Sequence, residues 1–448
     1  MDILGLIPSF GNIIFTLAAF VIALSVIVAI HEYGHYIVGR WSGIHAEVFS
    51  IGFGPVIWSR MDKRGTRWQI AALPLGGFVK FLGDADAASA GVDKAAMAEL
   101  GEDAEALRHT MHGAPLWARA ATVAAGPIFN FVLSIIVFAG LALWQGQVRE
   151  PLTVQQLLPH PVAEGAFEPG DEILAIEGRP FGALAEFRDV VEGLPLKPEM
   201  AYDIRRDGAG LTVTGPYPYP SHAVAVQPGS AAEAAGVLPG DVITAVDGQP
   251  VFAFEQLRSY VGDSDGSPVT LTIWRAGEEL KLTMAPKRVD LPLAEGGFET
   301  RWLIGITGGL FFEPQSVGRG VISSLDYGVA QTGFIIRSSL SGLYHVITGA
   351  ISSCNLSGPI GIAETSGAAA SQGLNSFIFF IAVLSTAVGL LNLFPIPILD
   401  GGHLVFFAYE AVSGRAPSEK ALRVMMMAGL AIMLSLMLFA LSNDLFCP

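Results

Sequence analysis

Ala29-Ile30-His31-Glu32-Tyr33-Gly34-His35-Tyr36 closes an apolar run with no charged residue from Ile3 to Ile30. As a helix rising ~1.5 Å per residue, that run is long enough to cross a bilayer core of ~30 Å. An ionisable side chain placed there costs roughly 2.5 kcal/mol or more, which calls for a function. On a helix, His31 and His35 are four apart on one face, so both imidazoles can reach a single ion. Glu32 sits beside them, suited to take a proton from a water held there. The plainer reading is two histidines capping the cytosolic end of a membrane helix, and the cost of placing them at the bilayer weighs against it.

The 448 residues include 26 Lys and Arg against 41 Asp and Glu, a net charge of −15, with a mean hydropathy of +0.50. Such a chain mixes membrane and soluble parts, and it lacks the basic stripe that nucleic acid requires. Cys354 and Cys447 are the only cysteines. They make neither a metal site nor a disulfide framework, and a single bridge between them is left open. Asp2 is acidic and no Lys or Arg precedes Arg40, so the first run reads as a retained span rather than a cleaved signal.

Three further uncharged runs are long enough to span, between Arg119 and Arg149, Glu364 and Asp400, and Arg423 and Asp444. Basic residues after the first run (Arg40 to Lys80) and before the fourth (Arg415, Lys420, Arg423) put both short connections in the cytoplasm and both termini outside. The first connection is unusual. Thr66–Lys80 reads as two short strands about the turn Pro74-Leu75-Gly76-Gly77, and Ile51–Val56 has the same character. These pieces either dip into the bilayer, packed on protein or lining a wet cavity, or form a small cytosolic sheet. From Gly83 to Gly113 the sequence turns Ala-rich and acidic, which reads as a solvated helical or flexible insert without chemistry.

The long outer segment holds a repeat. Pro169-Gly170-Asp171-Glu172-Ile173 through Gly178-Arg179-Pro180 recurs as Pro239-Gly240-Asp241-Val242-Ile243 through Gly248-Gln249-Pro250, a spacing of 70. That period is too long for a solenoid and points to two small duplicated domains. Both copies resemble PDZ domains of the bacterial protease type, which bind peptides as an added strand or by their terminal carboxylate. Gly229–Gly236 supplies a helix entry and exit in the second copy, while Glu164-Gly165-Ala166-Phe167 in the first is shorter. Val317–Ala350 reads as an amphipathic helical segment on the outer membrane surface or over the catalytic core, with a plain linker helix close behind.

Two histidines are not enough for zinc, whose catalytic sites usually have three protein ligands and one open position. Asn392-Leu393-Phe394-Pro395-Ile396-Pro397-Ile398-Leu399-Asp400-Gly401-Gly402-His403 breaks the third run with two prolines and ends at the same membrane side as His31 and His35. Asp400 is the third candidate, His403 its rival, and a simple helix stop the plain alternative. In the second run, Gly126-Pro127 with Asn130 suggests close helix packing and a polar group aimed inward, either as interhelical glue or as part of the site.

These three motifs resemble the site-2 protease family of intramembrane zinc metalloproteases over nearly the whole chain, least in the insert 83–113. The resemblance implies a multi-pass α-helical membrane protein of four transmembrane helices, with a cytosol-side membrane-associated β segment and two periplasmic PDZ domains of mixed α/β structure. The expected segmentation is helix 1 over 1–38, a cytosolic loop over 39–118 and helix 2 over 119–145. PDZ domains follow over 146–218 and 219–290, then an outer amphipathic segment over 291–372. Helix 3 takes 373–399, a cytosolic loop 400–422 and helix 4 423–443. The resemblance further implies one zinc ion on His31, His35 and Asp400, Glu32 as catalytic base, and Asn392, Gly76, Gly77 and Asn130 as substrate contacts. The implied substrates are single-pass membrane proteins already trimmed outside, such as an anti-sigma factor in regulated intramembrane proteolysis, with the lipid bilayer and PDZ peptide ligands as further partners. The implied place is the bacterial inner membrane, with the active site toward the cytosol. A non-catalytic PDZ scaffold would not need Glu32, and a metal transporter would show repeated halves with broken helices in each.

Overall fold

The computed structural model describes residues 10–85, 91–93, 95, 97–98, 103–162, 166–182, 184–227, 229–293 and 297–447. The chain divides into two compact units, Met1–Leu141 with Val321–Pro448, and Ala142–Gly320. The first helix, α1 (Phe10–Trp41), is apolar nearly all round. Ala19, Ala23 and Ile27 are buried at every fourth position, and Ala23 and Ile27 meet Ile381 and its neighbours Phe377, Phe380 and Leu384.

Two long strands follow, β1 (Ala46–Met61) and β2 (Arg67–Phe81). Residues 67–70 pair with both 48–51 and 58–61, while 77–80 pair with 48–51. The strands therefore bend, and the expected turn about Pro74–Gly77 divides β2 into two pieces that lie in separate ladders. Phe49, Val79 and Phe81 join Tyr36, Ile44 and Met111 in one core that fastens the sheet to the end of α1. At the far end Phe53, Ile57, Trp58 and Leu73 are exposed.

In the insert, Asp86 and Glu102 lie outside the described residues. Its start is packed rather than solvated, which corrects the expectation there, while its far end holds a helix with no buried residue, in line with it. Asp84 is fully buried, accepts from the Phe81 N–H at 3.2 Å and faces His112 Nε2 at 3.3 Å. The short α2 (Ala104–Arg108) is capped by the Asp103 carboxylate. It leads to α3 (Leu116–Gln145), which carries Pro127 in its interior.

The second unit contains the repeat as two sheets of the same order. In the first, β3 (Glu172–Ile176), β4 (Arg179–Pro180), β5 (Met200–Arg206) and β6 (Ala209–Gly215) run β4-β3-β5-β6, with α4 (Leu184–Glu192) between β4 and β5. In the second, β7 (Val242–Val246), β8 (Gln249–Pro250), β9 (Val269–Arg275) and β10 (Glu278–Met284) run β8-β7-β9-β10, with α5 (Phe254–Asp263) in the matching place. Phe167, Ile173, Phe187 and Tyr202 centre one core; Ile243, Leu257, Leu271 and Ile273 centre the other. The second copy has its short helix, Ala231–Ala234, capped by Ser230. Of the corresponding stretch in the first copy, Glu164 and Gly165 lie outside the described residues.

The unit does not end at residue 290 as expected. Lys287–Pro292 and Phe298–Leu303 form a hairpin, and the chain then returns along both copies. Ile306–Thr307 pairs with Ala225–Val226, Phe312–Pro314 with Val154–Leu157, and Ser316–Val317 with Gln147–Val148. Ile304 is buried in the second core and Phe311 and Phe312 in the first, so 291–320 closes the repeats instead of joining the amphipathic segment. That segment is α6 (Val321–Ile347), with Gly328 seated against the Ile135 carbonyl.

Asp444 caps the next helix, α7 (Pro359–Ser371), accepting from the N–H groups of Gly358, Ile360 and Gly361 at 2.7, 2.9 and 3.2 Å. Cys354 and Cys447 form a disulfide beside it. The last three helices are α8 (Leu374–Asn392), α9 (Asp400–Ser413) and α10 (Glu419–Phe446). The third run thus stops being helical at Asn392 instead of 399, and the expected loop 400–422 holds a helix of 14 residues. Asp400 starts that helix rather than stopping one. Among the described residues four helices are long and apolar enough to cross a membrane: Ile13–Trp41, α3, α8 and α10.

Candidate metal centre

His31 and His35 face α3 at the point where it presents Gly126. A Cβ at Gly126 would overlap both imidazoles, so only glycine leaves room for the pair. Pro127 has no N–H and its ring disturbs the preceding turn, which loosens the carbonyls there. One turn back, the Thr122 carbonyl accepts from His35 Nδ1 at 2.9 Å. That bond puts the ring proton on Nδ1 and leaves the Nε2 lone pair free.

Asn130 does the same for His31. Its side-chain nitrogen lies 3.1 Å from His31 Nδ1, while its Oδ1 is buried with no hydrogen-bond partner. With the amide turned over, Oδ1 would accept from a proton on His31 Nδ1 and Nε2 would again be left bare. Asn130 is wholly buried and does not line the cavity described below. It stands behind a histidine, and not where the expected substrate contact would place it.

The third donor arrives on α9. Gly401 and Gly402 pack so closely under the loop that a Cβ on either would collide with the carbonyls of Leu393, Phe394 or Ile396. The Pro395-Ile396-Pro397 bend is thereby folded onto the first turn of α9, where Asp400 also suits the positive end of the helix dipole. Its carboxylate oxygens lie 3.1 Å from His31 Nε2 and 3.5 Å from His35 Nε2. The two Nε2 atoms are 3.2 Å apart.

With both ring protons on Nδ1, the two Nε2 lone pairs and the Asp400 carboxylate would converge with no hydrogen between them. Asp400 Oδ2 is buried and has no hydrogen-bond partner. Such a cluster repels itself unless a cation sits among its members. Donors ~2.0–2.1 Å from a tetrahedral zinc stand about 3.3 Å apart; the two Nε2 atoms are 3.2 Å apart, and each has one oxygen of Asp400 against it, Oδ2 at His31 and Oδ1 at His35. The residues fit the metal. Among the described residues, this is the one group of three or more His, Cys, Asp or Glu side chains gathered so closely, within 4.8 Å.

A cavity of about 320 Å³ opens beside the cluster, lined by the three donors, Glu32, Gly77, Asn392 and His403 among others. A Cβ at Gly77 would come within 3.0 Å of Glu32 Cγ, so bare backbone runs past the carboxylate. Gly76 instead abuts the Phe53 ring. Asn392 donates to the Val388 carbonyl at 3.1 Å. His403, the rival ligand, lines the cavity without joining the donors, and burial pushes its imidazole below its ordinary value. Farther out, Arg119 grips Glu410 through two hydrogen bonds of 2.6 and 3.1 Å. This pair, the Thr122 carbonyl and His112 went unread in the sequence. A backbone carbonyl has no side-chain signature, although the Gly-Pro pair in an apolar helix was a signal that one would be freed.

A family model described as Peptidase family M50 matches residues 19–436. A protein named Putative zinc metalloprotease from Agrobacterium fabrum is 38% identical over 431 residues, covering 95% of this chain and 94% of its own. One of the same name from Rhizobium meliloti is 36% identical, with 97% of each chain covered. Regulator of sigma-E protease RseP from Salmonella typhimurium is 32% identical over 464 residues, covering 97% of this chain and 99% of its own.

Proposed function

The chain belongs to peptidase family M50 and is a zinc metalloprotease of the membrane, and from that premise we propose that it cleaves single-pass membrane proteins in or near their transmembrane segments. The observation that carries this reading is a three-donor cluster and a carboxylate sharing one cavity at the ends of apolar helices. His31, His35 and Asp400 would hold the zinc, with Thr122 and Asn130 fixing the imidazoles. Bound there, zinc supplies an acidified water and polarises a carbonyl. Glu32 takes the proton from the attacking water and returns it to the leaving amine. Asn392 lines the same cavity and would meet the substrate or its developing oxyanion.

A helical substrate shields its carbonyls, so it must unwind. Residues 77–80 pair on one side with 48–51, and the other side takes no strand among the described residues. An extended substrate can add itself there, with Gly77 leading it past Glu32. The apolar tips at Phe53, Ile57 and Trp58 suit a sheet that dips into lipid.

The two matching sheets support a PDZ pair in the periplasm, acting as a filter that excludes bulky ectodomains. Positive-inside counting puts the metal centre toward the cytosol. The disulfide Cys354–Cys447 agrees, since such a bond persists on the oxidising side of a bacterial inner membrane. The name of the Salmonella relative favours an anti-sigma factor, trimmed first outside, as substrate. Equal cleavage of full-length and trimmed substrates would sink the filter.

The direct test is cleavage of a single-span substrate by purified wild type and Glu32→Gln, with zinc measured in both. About one zinc in each and activity lower by about 10²–10⁴-fold in the variant is expected. Wild-type rates from Glu32→Gln would refute the assignment, and metal-free protein that binds tail peptides would establish the scaffold instead.

A further inference from the structure

α1 ends at Trp41, which is 74% exposed, and an exposed tryptophan closing an apolar span marks the headgroup level of a bilayer. The turn that follows forms one wall of a cavity of about 470 Å³. Arg40, His45, Arg64 and His109 line it, with no Asp or Glu among the described residues. In a chain with 41 acidic and 26 basic residues, composition alone would not produce such a lining. The four side chains come from four places: the end of α1, the turn between α1 and β1, the β1–β2 connection and the residue after α2.

A third arginine stands behind the wall. Arg108 donates Nη2 to the Ser42 carbonyl at 3.0 Å, while its Nη1 is buried with no hydrogen-bond partner. Nη1 lies against Gly43, where a Cβ would approach it to 3.4 Å. Asp62 is the nearby acid, 3.9 Å from Arg40. Its oxygens are already taken by the N–H groups of Arg64 and Thr66 and by Trp68 Nε1. Gathered cations with a spare guanidinium N–H are stabilised by an anion, and guanidinium forks match the oxygens of a phosphate ester.

We propose that this pocket binds the phosphate ester of an anionic phospholipid headgroup on the same membrane side as the metal cavity. Basic pockets at that level recognise such lipids. The bound headgroup would also steady the metal cavity. His109, whose Nδ1 donates to the Gly43 carbonyl at 2.6 Å, is followed closely by Met111 and His112, which line that cavity. The insert would then act as a strap between lipid and active site.

The test is native mass spectrometry of the full-length protein in detergent with added phosphatidylglycerol or phosphatidylcholine. Wild type should retain phosphatidylglycerol in preference. Arg64→Ala, an exposed side chain, should weaken that retention about fivefold, and Arg64→Ala with Arg108→Ala about thirtyfold, the share of one and two basic contacts. Phosphatidylcholine retention and the thermal stability of Arg64→Ala in lipid-free detergent should not change. Equal retention of the two lipids, or of phosphatidylglycerol by wild type and Arg64→Ala, overturns the proposal. Displacement of the lipid by millimolar inorganic phosphate alone would assign the pocket to a soluble phosphate and overturn the lipid.

Discussion

The unit of the repeats, the outer one in the proposed topology, and the membrane unit both bury carboxylates, and they treat them in opposite ways. In the repeats, Asp171 and Asp241 occupy matching turns and are almost fully buried. Each is gripped by an arginine on a neighbouring strand, Arg206 at 2.8 and 2.7 Å and Arg275 at 2.6 and 2.7 Å. The same arginines donate to the carbonyls of Ala166 and Gly236. Each of these two buried carboxylates has its counter-charge in the chain. Asp400 instead faces two imidazoles, at 3.1 and 3.5 Å, and no Lys or Arg pairs with it among the described residues. A buried charge satisfied internally belongs to the fold; one left for an outside cation belongs to the chemistry.

Asp400→Asn probes that contrast most strongly. Zinc content and peptidase activity should both fall to background while the outer unit keeps its folding transition; retained zinc would show that another residue, such as His403, is the ligand. In the outer unit, Arg275→Ala leaves Asp241 buried without its partner. It should cost about 3 kcal/mol of stability, read from chemical unfolding, with zinc content unchanged. If stability were unaltered, the Asp–Arg grip would be no more than a surface pair.

Asn130→Ala removes the group that orients His31 and leaves the ligands in place. Zinc affinity should weaken by about 10–100-fold in a chelator competition, and zinc in excess should restore activity. A variant with normal affinity would reduce Asn130 to interhelical glue. The smallest effect is expected from pH. Burial, with nearby His222 adding to it, lowers the His160 imidazole to about 4 from an ordinary 6.5. The unfolded chain then binds the proton more readily, so the outer unit should lose stability as pH falls from about 6.5 toward about 4 and level off below. His160→Leu should flatten that slope; an unchanged slope would assign it to other groups.

Much of the site could be read along the chain because its signals are local. His31 and His35 four apart in an apolar run, the Pro-x-Pro break before Asp400 and the recurring Pro-Gly-Asp turn each lie within a dozen residues. The extent of α9 and the return of 304–317 were not readable in that way. Phe311 and Phe312 look like part of an outer linker until the first repeat's core closes over them.

The sequence by itself determined which residues could carry chemistry and which runs could cross a membrane, since spacing and polarity settle both. Only the tertiary structure decided that Asn130 and the Thr122 carbonyl stand behind the two imidazoles, that Asp400 rather than His403 completes the cluster, and that Arg40 and Arg64 line one pocket with Arg108 behind its wall. Those outcomes join residues tens to hundreds of positions apart, and contacts of that kind depend on how the helices pack rather than on any pattern along them.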